Sequence, residues 1–257
     1  NPVTGSGGVL IGTVTELGAS RRDLKLGDRL ITLVSLTTTP LQLDGLGRID
    51  PQSHQIAAQG TAILFERSLY AALPGDLDEQ LVLSVLDVCG APAQAHRLVK
   101  PGMRVVILGG GGRSGLLCSW VAAQQVGPEG QVIAIEYSQA GLDKLARVPN
   151  VTRLQGNATD AVAVHELVRQ ATGGAFADLV INCVNIPGTE MASILAARQR
   201  GMVYFFSMAT SFQAAALGAE SVGQDVDLLM GNGYAEGHAA YALELVRRNP
   251  VLAELVQ

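Results

Sequence analysis

A glycine-rich segment at 109–115 carries the residue types and spacing best suited to chemistry in this sequence. It forms a GxGxxG pattern that follows an apolar run and opens a helical pattern. The first glycine allows a tight turn, the second lets the backbone approach a pyrophosphate, and the third lets the helix pack close to the strand. The helix N-terminus adds unpaired N–H groups and the positive end of its dipole. We therefore predict a dinucleotide site, with a flexible glycine loop as the alternative. The residues predicted to contact the diphosphate are Gly110, Gly112, Arg113, Ser114 and Gly115.

An acidic residue follows the next apolar run, where a bound dinucleotide needs one. Glu136 follows the predicted strand 131–135, about 20 residues beyond the glycine motif, where a carboxylate binds the adenosine ribose hydroxyls. A carboxylate there repels a 2′-phosphate, so we predict NAD rather than NADP as the cofactor. Tyr137 is a further candidate contact, and Arg147 is the nearby cation that could instead attract a phosphate. A solvated charge at the strand end is the alternative for Glu136.

Three more polar residues lie at the ends of later apolar runs. These residues are Asn157, Asn182 and Ser207. Ligands of open α/β sheets bind outside the carboxyl ends of the strands, so we expect Asn157 near the adenine and the other two near the nicotinamide. The alternatives are an ordinary turn at Asn157 with Thr159 as the cap of the next helix, and simple polar loops for the other two.

Length and composition exclude several classes of protein. The chain has 257 residues, 48% hydrophobic and 16% charged, which supplies material for a large buried core. Its net charge of −5 and lack of a basic cluster argue against a nucleic-acid partner. No apolar run approaches the roughly 18–20 residues that span a bilayer, and no signal peptide is visible. The three dispersed cysteines give no disulfide framework. We expect a cytoplasmic protein that acts on a small molecule.

The chain reads as a β-rich region followed by alternating strands and helices. The early region has strand patterns separated by turns, with Gly60 as a candidate bulge. From residue 104 onward, strands alternate with helices, which predicts an α/β fold with a doubly wound parallel sheet of the Rossmann type. Because the sequence opens on Asn1 without a methionine, we expect part of the N-terminal domain to be missing from it. The predicted divisions are 1–90, 91–248 and a C-terminal segment, 249–257.

The first region resembles the medium-chain dehydrogenase/reductase superfamily, in which a GroES-like catalytic domain precedes the nucleotide domain. The resemblance lies in the strand and turn at 12–18 and the Gly-Asp-Arg turn at 27–29. The zinc-binding branch carries Gly-His-Glu just before this strand, whereas this chain has Gly-Gly-Val at 7–9. Cys89 alone cannot build a tetrahedral site, so we expect no metal. The resemblance also implies a homo-oligomer, either a homodimer or a homotetramer.

A closer resemblance is to the L-erythro-3,5-diaminohexanoate dehydrogenase family. It rests on the segments 4–12, 60–66, 87–94 and 109–115. The resemblance implies NAD-dependent oxidative deamination of the diamino acid to 5-amino-3-oxohexanoate, with release of ammonia and NADH, in lysine fermentation. Two alternatives remain at this point. One is a zinc-independent medium-chain reductase of an alcohol, quinone or enone, and the other is a non-catalytic NAD-binding protein.

Amine oxidation needs a general base and partners for the charged substrate, which gives three candidate catalytic residues. Asp87 lies in an apolar stretch, and we expect it to be buried and to contact an amine or act as the base; a structural cap near Gly90 is the alternative. Glu66 could pair with an ammonium group, although a surface ion pair with Arg67 is the alternative. Ser6 lies on the glycine-rich turn, where turn chemistry is the alternative.

Overall fold

The chain forms two compact units in a computed structural model. The units are Asn1–Asp87 together with Gln257, and Val88–Val256. The first unit contains a three-stranded and a two-stranded sheet, and the second contains a six-stranded sheet. The boundary lies between Asp87 and Val88, and the last helix of the chain belongs to the second unit. The residues described by the structure are 5, 7–33, 35–51, 53–231 and 233–257.

Short antiparallel strands dominate the described part of the first unit. A three-stranded sheet and a separate two-stranded hairpin are followed by one helix, which Asp78 caps by accepting backbone hydrogen bonds with its carboxylate. The sheet has the order β1-β2-β5, and β3 pairs with β4. In chain order the elements are β1 (Ile11–Thr13), β2 (Arg29–Thr32), a 3-10 helix (Leu36–Thr38), β3 (Leu41–Asp50), β4 (Gln55–Ala62), β5 (Tyr70–Ala72) and α1 (Glu79–Leu86).

The bulge expected at Gly60 lies instead on the opposite strand. Leu43 pairs with Gly60 and Gly45 pairs with Gln59, so Asp44 is the additional residue. A Cβ atom on Gly60 would lie 2.2 Å from the carbonyl oxygen of Gln42. The glycine in β4 therefore permits close approach of the two backbones, and the prediction of a bulge at this residue was wrong.

The second unit alternates strands and helices. Its strands are β6 (Arg104–Leu108), β7 (Gln131–Glu136), β8 (Thr152–Gln155), β9 (Ala177–Asn182), β10 (Ala197–Phe205) and β11 (Val226–Met230). Its helices are α2 (Gly90–Leu98), α3 (Arg113–Gln125), α4 (Gln139–Leu145), α5 (Ala161–Ala171), α6 (Glu190–Ala196), α7 (Phe212–Ser221), α8 (His238–Arg248) and α9 (Pro250–Val256).

All strand pairs of this sheet are parallel, and their order is β11-β10-β9-β6-β7-β8. The order reverses between β6 and β9, which makes this the topological switch point where such sheets bind ligands. The order is that of a doubly wound Rossmann sheet, so the predicted fold of this region is confirmed.

The core of the second unit lies on both faces of the sheet. Val105 to Leu108 of β6 are fully buried, as expected for a strand covered on both sides. One face packs against apolar residues of α5, α6 and α7. The helix α3 contacts α2 and α9. Each buried Val or Leu side chain contributes about 1.5–3 kcal/mol to folding, so this core fixes the sheet edge that carries the glycine motif.

An ion-pair network closes the opposite, N-terminal edge of this sheet. The carboxylate of Asp178 accepts hydrogen bonds from the Arg104 N–H at 2.7 Å and from Arg198 Nε at 2.6 Å. Burial raises the pKa of Asp178, but the hydrogen bonds and charges of the two arginines outweigh it and bring the pKa below its ordinary value. These contacts join the starts of β6, β9 and β10.

No helix in the described part of the chain combines the length and the apolar character needed to cross a membrane.

Candidate functional site

Two glycines of the motif are required by packing alone. A Cβ atom on Gly115 would lie 2.1 Å from the carbonyl oxygen of Gly109, and one on Gly110 would lie 2.8 Å from the Cβ of Ala134. Both distances are shorter than real Cβ contacts allow. Gly110 therefore lets the turn lie against β7, and Gly115 lets α3 start directly over the turn. Close packing is the role that the spacing predicted for the third glycine. At the first glycine the observed reason is contact with β7, and the residue of the turn with a positive φ is Gly109, at 73°.

Gly112 differs from the other two because neither its backbone nor its packing requires glycine. Its φ of −76° and ψ of 167° suit any residue, and the nearest atom to an added Cβ would be 3.7 Å away. It is the N-cap of α3 and makes no side-chain capping hydrogen bond. Arg113 and Ser114, each half-buried, form the start of that helix. An open glycine at an uncapped helix N-terminus is the arrangement that admits a phosphate group.

Glu136 lies beside this turn at the end of β7, with its carboxylate fixed. Oε2 accepts a hydrogen bond from the Gly111 N–H at 2.9 Å, and Oε1 accepts from the N–H and the Oγ of Ser138 at 3.0 and 2.9 Å. The two oxygens of a carboxylate offer about four lone-pair sites, so one site on Oε2 is left to accept a hydrogen bond from a ribose hydroxyl. Tyr137, next in the chain, is 72% exposed. The carboxylate therefore has the position and spare accepting capacity that a ribose ligand needs.

The cation that could have favoured a 2′-phosphate is already engaged. Arg147 donates to both carboxylate oxygens of Glu254, at 2.9 and 2.7 Å. The hydrogen bond to Glu254 raises the pKa of Arg147 above its ordinary value. The pair joins the residue after the C-cap of α4 to α9.

Asn157 follows β8 and forms a turn. Its Oδ1 accepts from the N–H and the Oγ1 of Thr159, at 3.0 and 2.9 Å, and the residue is exposed. The cap of α5 is Asp160, which accepts from the Ala163 N–H at 3.0 Å, rather than Thr159. The turn alternative thus accounts for the observed contacts of Asn157.

Asn182 does not point toward solvent at the sheet edge. It is fully buried, and its Nδ2 donates to Thr189 Oγ1 at 2.8 Å and to Ser193 Oγ at 2.9 Å. Its Oδ1 accepts from the Val184 N–H at 2.9 Å. Because its polar atoms are taken by α6 and by its own loop, the expected cofactor contact is replaced by a structural role.

Ser207 follows β10 and connects two loops. Its Oγ lies 3.1 Å from Asn185 Oδ1 and accepts from the Ala209 N–H at 3.1 Å. Only 7% of the residue is exposed. Since the Asn185 oxygen can only accept, the serine hydroxyl is the donor. The loop after β9 and the loop after β10 are therefore linked at the edge where a nicotinamide ring is expected.

A second link between these loops escaped prediction. Glu190 is 5% exposed, and its Oε1 accepts from the Ser211 N–H at 2.7 Å. From sequence, Glu190 reads as an ordinary acidic residue that complements the α6 dipole. Its position at a helix start just beyond a strand end was the available signal. Its bond to Ser211, 21 residues later, is visible only in the fold.

The candidate catalytic residues belong to the first unit. Asp87 is exposed at the C-cap of α1, so the prediction that it is buried was wrong: it follows the last turn of the helix rather than facing the apolar side. Ser6, like Thr4, lies outside the described residues.

Glu66 lies in an exposed turn after β4, and its carboxylate makes no hydrogen bond or ion pair with another described residue. A surface pair with Arg67 is therefore not seen within the described part of the chain. Arg21 holds the turn by donating to the Glu66 carbonyl oxygen at 3.0 Å and to Tyr70 Oη at 2.6 Å. The Tyr70 hydroxyl in turn donates to Asp23 and lowers the pKa of that carboxyl.

Among the described residues, no three His, Cys, Asp or Glu side chains converge in a group that could hold a metal ion. Cys89 is buried beside Gly90 at the start of α2.

A parallel sheet of this order, with an open glycine turn after β6 and a fixed carboxylate at the end of β7, is the arrangement of a dinucleotide-binding protein. Comparison with known proteins identifies the family. The chain is 48% identical over 259 residues to L-erythro-3,5-diaminohexanoate dehydrogenase from Fusobacterium nucleatum, covering 99% of this chain and 75% of that protein. It is 49% identical over 258 residues to the enzyme of the same name from Acetoanaerobium sticklandii, covering 98% and 74%. The chain therefore belongs to the L-erythro-3,5-diaminohexanoate dehydrogenase family.

The other comparisons agree with this assignment. Residues 1–74 match the model of the L-erythro-3,5-diaminohexanoate dehydrogenase N-terminal domain. A quinone oxidoreductase from Pseudomonas syringae superposes with a TM-score of 0.70 at 16% identity, over 98% of this chain and 76% of that one. The Escherichia coli quinone oxidoreductase complexed with NADPH gives 0.65 at 15% identity, over 98% and 71%. At these identities the two structures show a shared fold alone, which agrees with the predicted α/β architecture of a Rossmann sheet preceded by a β-rich domain.

Proposed function

We propose that this protein catalyses the NAD-dependent oxidative deamination of L-erythro-3,5-diaminohexanoate to 5-amino-3-oxohexanoate. The observation that carries the proposal is Gly112, an open glycine that the fold itself does not need, next to the fixed carboxylate of Glu136. The reaction is supported by the names of relatives that are nearly half identical over almost the whole chain.

The preference for NAD rests on the residues around the ribose position. The carboxylate of Glu136 repels a 2′-phosphate, and Arg147 is paired with Glu254. The E. coli quinone oxidoreductase named above was solved with NADPH, but its 15% identity carries no information about the charges at this site. We therefore propose that NAD binds with its diphosphate at the N-terminus of α3 and its adenosine ribose on Glu136.

The reaction must remove a hydride from one amine-bearing carbon of the substrate and a proton from the nitrogen bound to it. Bound NAD would supply the hydride acceptor, and water then releases ammonia, so each turnover of one diamino acid, NAD and water yields one amino ketone, NADH, one ammonium ion and one proton. The protein must hold the substrate carboxylate and second ammonium group and accept a proton from the reacting amine. We propose that Asp87 and Glu66, both exposed carboxylates, and Ser6 serve these steps.

The assignment of these residues is testable by conservative replacement. Asp87→Asn and Glu66→Gln remove the charge while keeping the shape of each side chain. Loss of a general base lowers kcat by about 10²–10⁴-fold, whereas loss of an ammonium partner mainly raises KM for the diamino acid. Asp143→Asn, an exposed carboxylate on α4, is the control. If neither variant differs from this control in kcat or KM, both residues lose their proposed roles.

We further propose a cytoplasmic homo-oligomer, either a homodimer or a homotetramer. Support comes from β11, the last strand in the sheet order, whose apolar residues are only half-buried. A sheet edge of this kind can pair with a second copy. Gel filtration at micromolar protein concentration tests the proposal, and elution as a monomer would contradict it.

A further inference from the structure

The loops that follow β9 and β10 are joined at two separate points. Ser207 donates to Asn185 Oδ1 at 3.1 Å, and the Ser211 N–H donates to Glu190 Oε1 at 2.7 Å. Because β9 and β10 are parallel neighbours, both loops lie at the carboxyl edge of the sheet. Two hydrogen-bonded pairs thus connect the loops, Asn185 with Ser207 and Glu190 with Ser211. We call these two pairs together the loop bridge.

Glu190 is itself held in place by a buried network. It is the first residue of α6, directly after Thr189, which receives a hydrogen bond from Asn182 at 2.8 Å. Ser193, one turn farther along the helix, receives a second bond from Asn182 at 2.9 Å. Since Asn182 is fully buried at the end of β9, it fixes the start of α6 relative to the sheet. Glu190 therefore starts from a helix end that buried hydrogen bonds tie to the sheet.

The bridge and Glu136 lie on opposite sides of β6 in the strand order of the sheet. The glycine turn follows β6 and Glu136 ends β7, whereas the bridge follows β9 and β10 on the other side of β6. A dinucleotide crosses the sheet edge at the switch point between these two sides. The bridge thus lies on the side of the switch point where the nicotinamide is expected, away from Glu136.

We propose that Glu190 is a positioning residue that joins the two loops into a single binding edge for the nicotinamide half of the cofactor. The proposal rests on the function proposed above. Glu190 does not touch the cofactor; it acts through Ser211 and the loop that this residue anchors. A negative charge that only complements the α6 dipole would stabilise the helix but would not act on one half of a ligand selectively.

The comparison of NADH with ADP-ribose tests the proposal, because ADP-ribose lacks the nicotinamide ring. In Glu190→Ala we expect the Kd for NADH to rise about tenfold, as for the loss of one ordered charge-assisted contact, while the Kd for ADP-ribose stays unchanged. Glu190→Gln keeps an oxygen acceptor for the Ser211 N–H and should restore most of the NADH affinity. Glu220→Ala removes an exposed carboxylate of α7 and is the matched control.

Equal weakening of both ligands, or no weakening of NADH binding, would overturn the proposal. If Glu190→Ala does not fold, Ser207→Ala breaks the other link of the bridge and should weaken NADH alone, to a smaller degree. Both ligands are measured without the diamino acid. A protein that binds NADH but does not oxidise the diamino acid would therefore refute the proposed reaction and leave the test of Glu190 standing.

Discussion

Alanine at two glycines of the motif should separate packing from ligand binding. Gly115→Ala places a methyl group 2.1 Å from the Gly109 carbonyl oxygen and 2.6 Å from the Gly110 Cα. Both neighbours are backbone atoms, so the start of α3 must retreat by about 1 Å to reach ordinary contact. Such overpacking costs about 1–3 kcal/mol of stability. A displacement of about 1 Å at the diphosphate site also costs about 10²-fold in function.

Gly112→Ala, in contrast, should not lower the stability of the protein. The backbone angles suit alanine and the nearest atom is 3.7 Å away, so the free energy of unfolding should stay level or rise by about 0.4–1 kcal/mol. The new methyl group nevertheless occupies the face that a pyrophosphate approaches. A clash of about 1–3 kcal/mol there raises the Kd for NADH about ten- to hundredfold.

The single tryptophan of the chain allows the stability of the second unit to be measured in these variants. Trp120 lies in α3 and is 9% exposed, so its fluorescence during denaturant unfolding reports on the second unit. NADH titration gives the binding half. Gly18→Ala is the control, because no atom lies within 4 Å of an added Cβ there. A Gly112→Ala protein that binds NADH normally, or a Gly115→Ala protein with unchanged stability, would refute the reasoning.

Three further predictions concern single side chains. Glu136→Ala should raise the Kd for NAD about tenfold or more and reduce the ratio between the Kd values for NADP and NAD, both measured by titration. A preference for NADP in the unmodified protein would contradict this prediction. Asn182→Leu leaves the hydroxyls of Thr189 and Ser193 without their donor and should lower the free energy of unfolding by about 1–3 kcal/mol in denaturant melts, and an unchanged value would show that the buried network is dispensable. Burial lowers the pKa of His238, so the unfolded chain binds its proton first and stability should fall as pH drops below about 6.5. His238→Phe should remove part of that decline between pH 7.5 and 5.5, and identical pH profiles for the two proteins would exclude the histidine as its source.

The second unit was largely predictable from its sequence because strand burial and helix caps follow local rules. The strand β6 coincides with an apolar run, and Ser138, a residue type that favours the N-cap, accepts a hydrogen bond from the Gly141 N–H at the start of α4. The helix α7 was missed, since its alanine-rich sequence has weak polar and apolar contrast. The helix α9 was not predicted, because proline usually interrupts a helix. Here Pro250 is the first residue of the helix, a position that proline suits.

The first unit was less predictable. The strand β3 carries several exposed apolar residues and two glycines, so its pattern does not alternate as a half-buried strand should. Its length comes from pairing with β4 rather than from its own sequence. The sequence pattern therefore predicts a strand that packs on a core more reliably than a strand that is held only by pairing with a neighbouring strand.

The residues of the candidate site also differ in how well the sequence predicts their roles. The glycine motif and Glu136 could be located from spacing, because each depends on a strand end and the residues next to it. The role of Asn182 could not, since it depends on Thr189 and Ser193 of α6 packing beneath it. The exposure of Asp87 depended on where α1 ends, and helix ends are poorly determined by an apolar stretch.

The most direct test of the central claim is a stoichiometry measurement with L-erythro-3,5-diaminohexanoate. The protein is incubated with the diamino acid and either NAD or NADP, and ammonia and reduced cofactor are quantified together. The account predicts one ammonia per NADH, a strong preference for NAD, and no reduction of NAD with simple alcohols. Activity toward alcohols or enones with NADPH, and none toward the diamino acid, would contradict it.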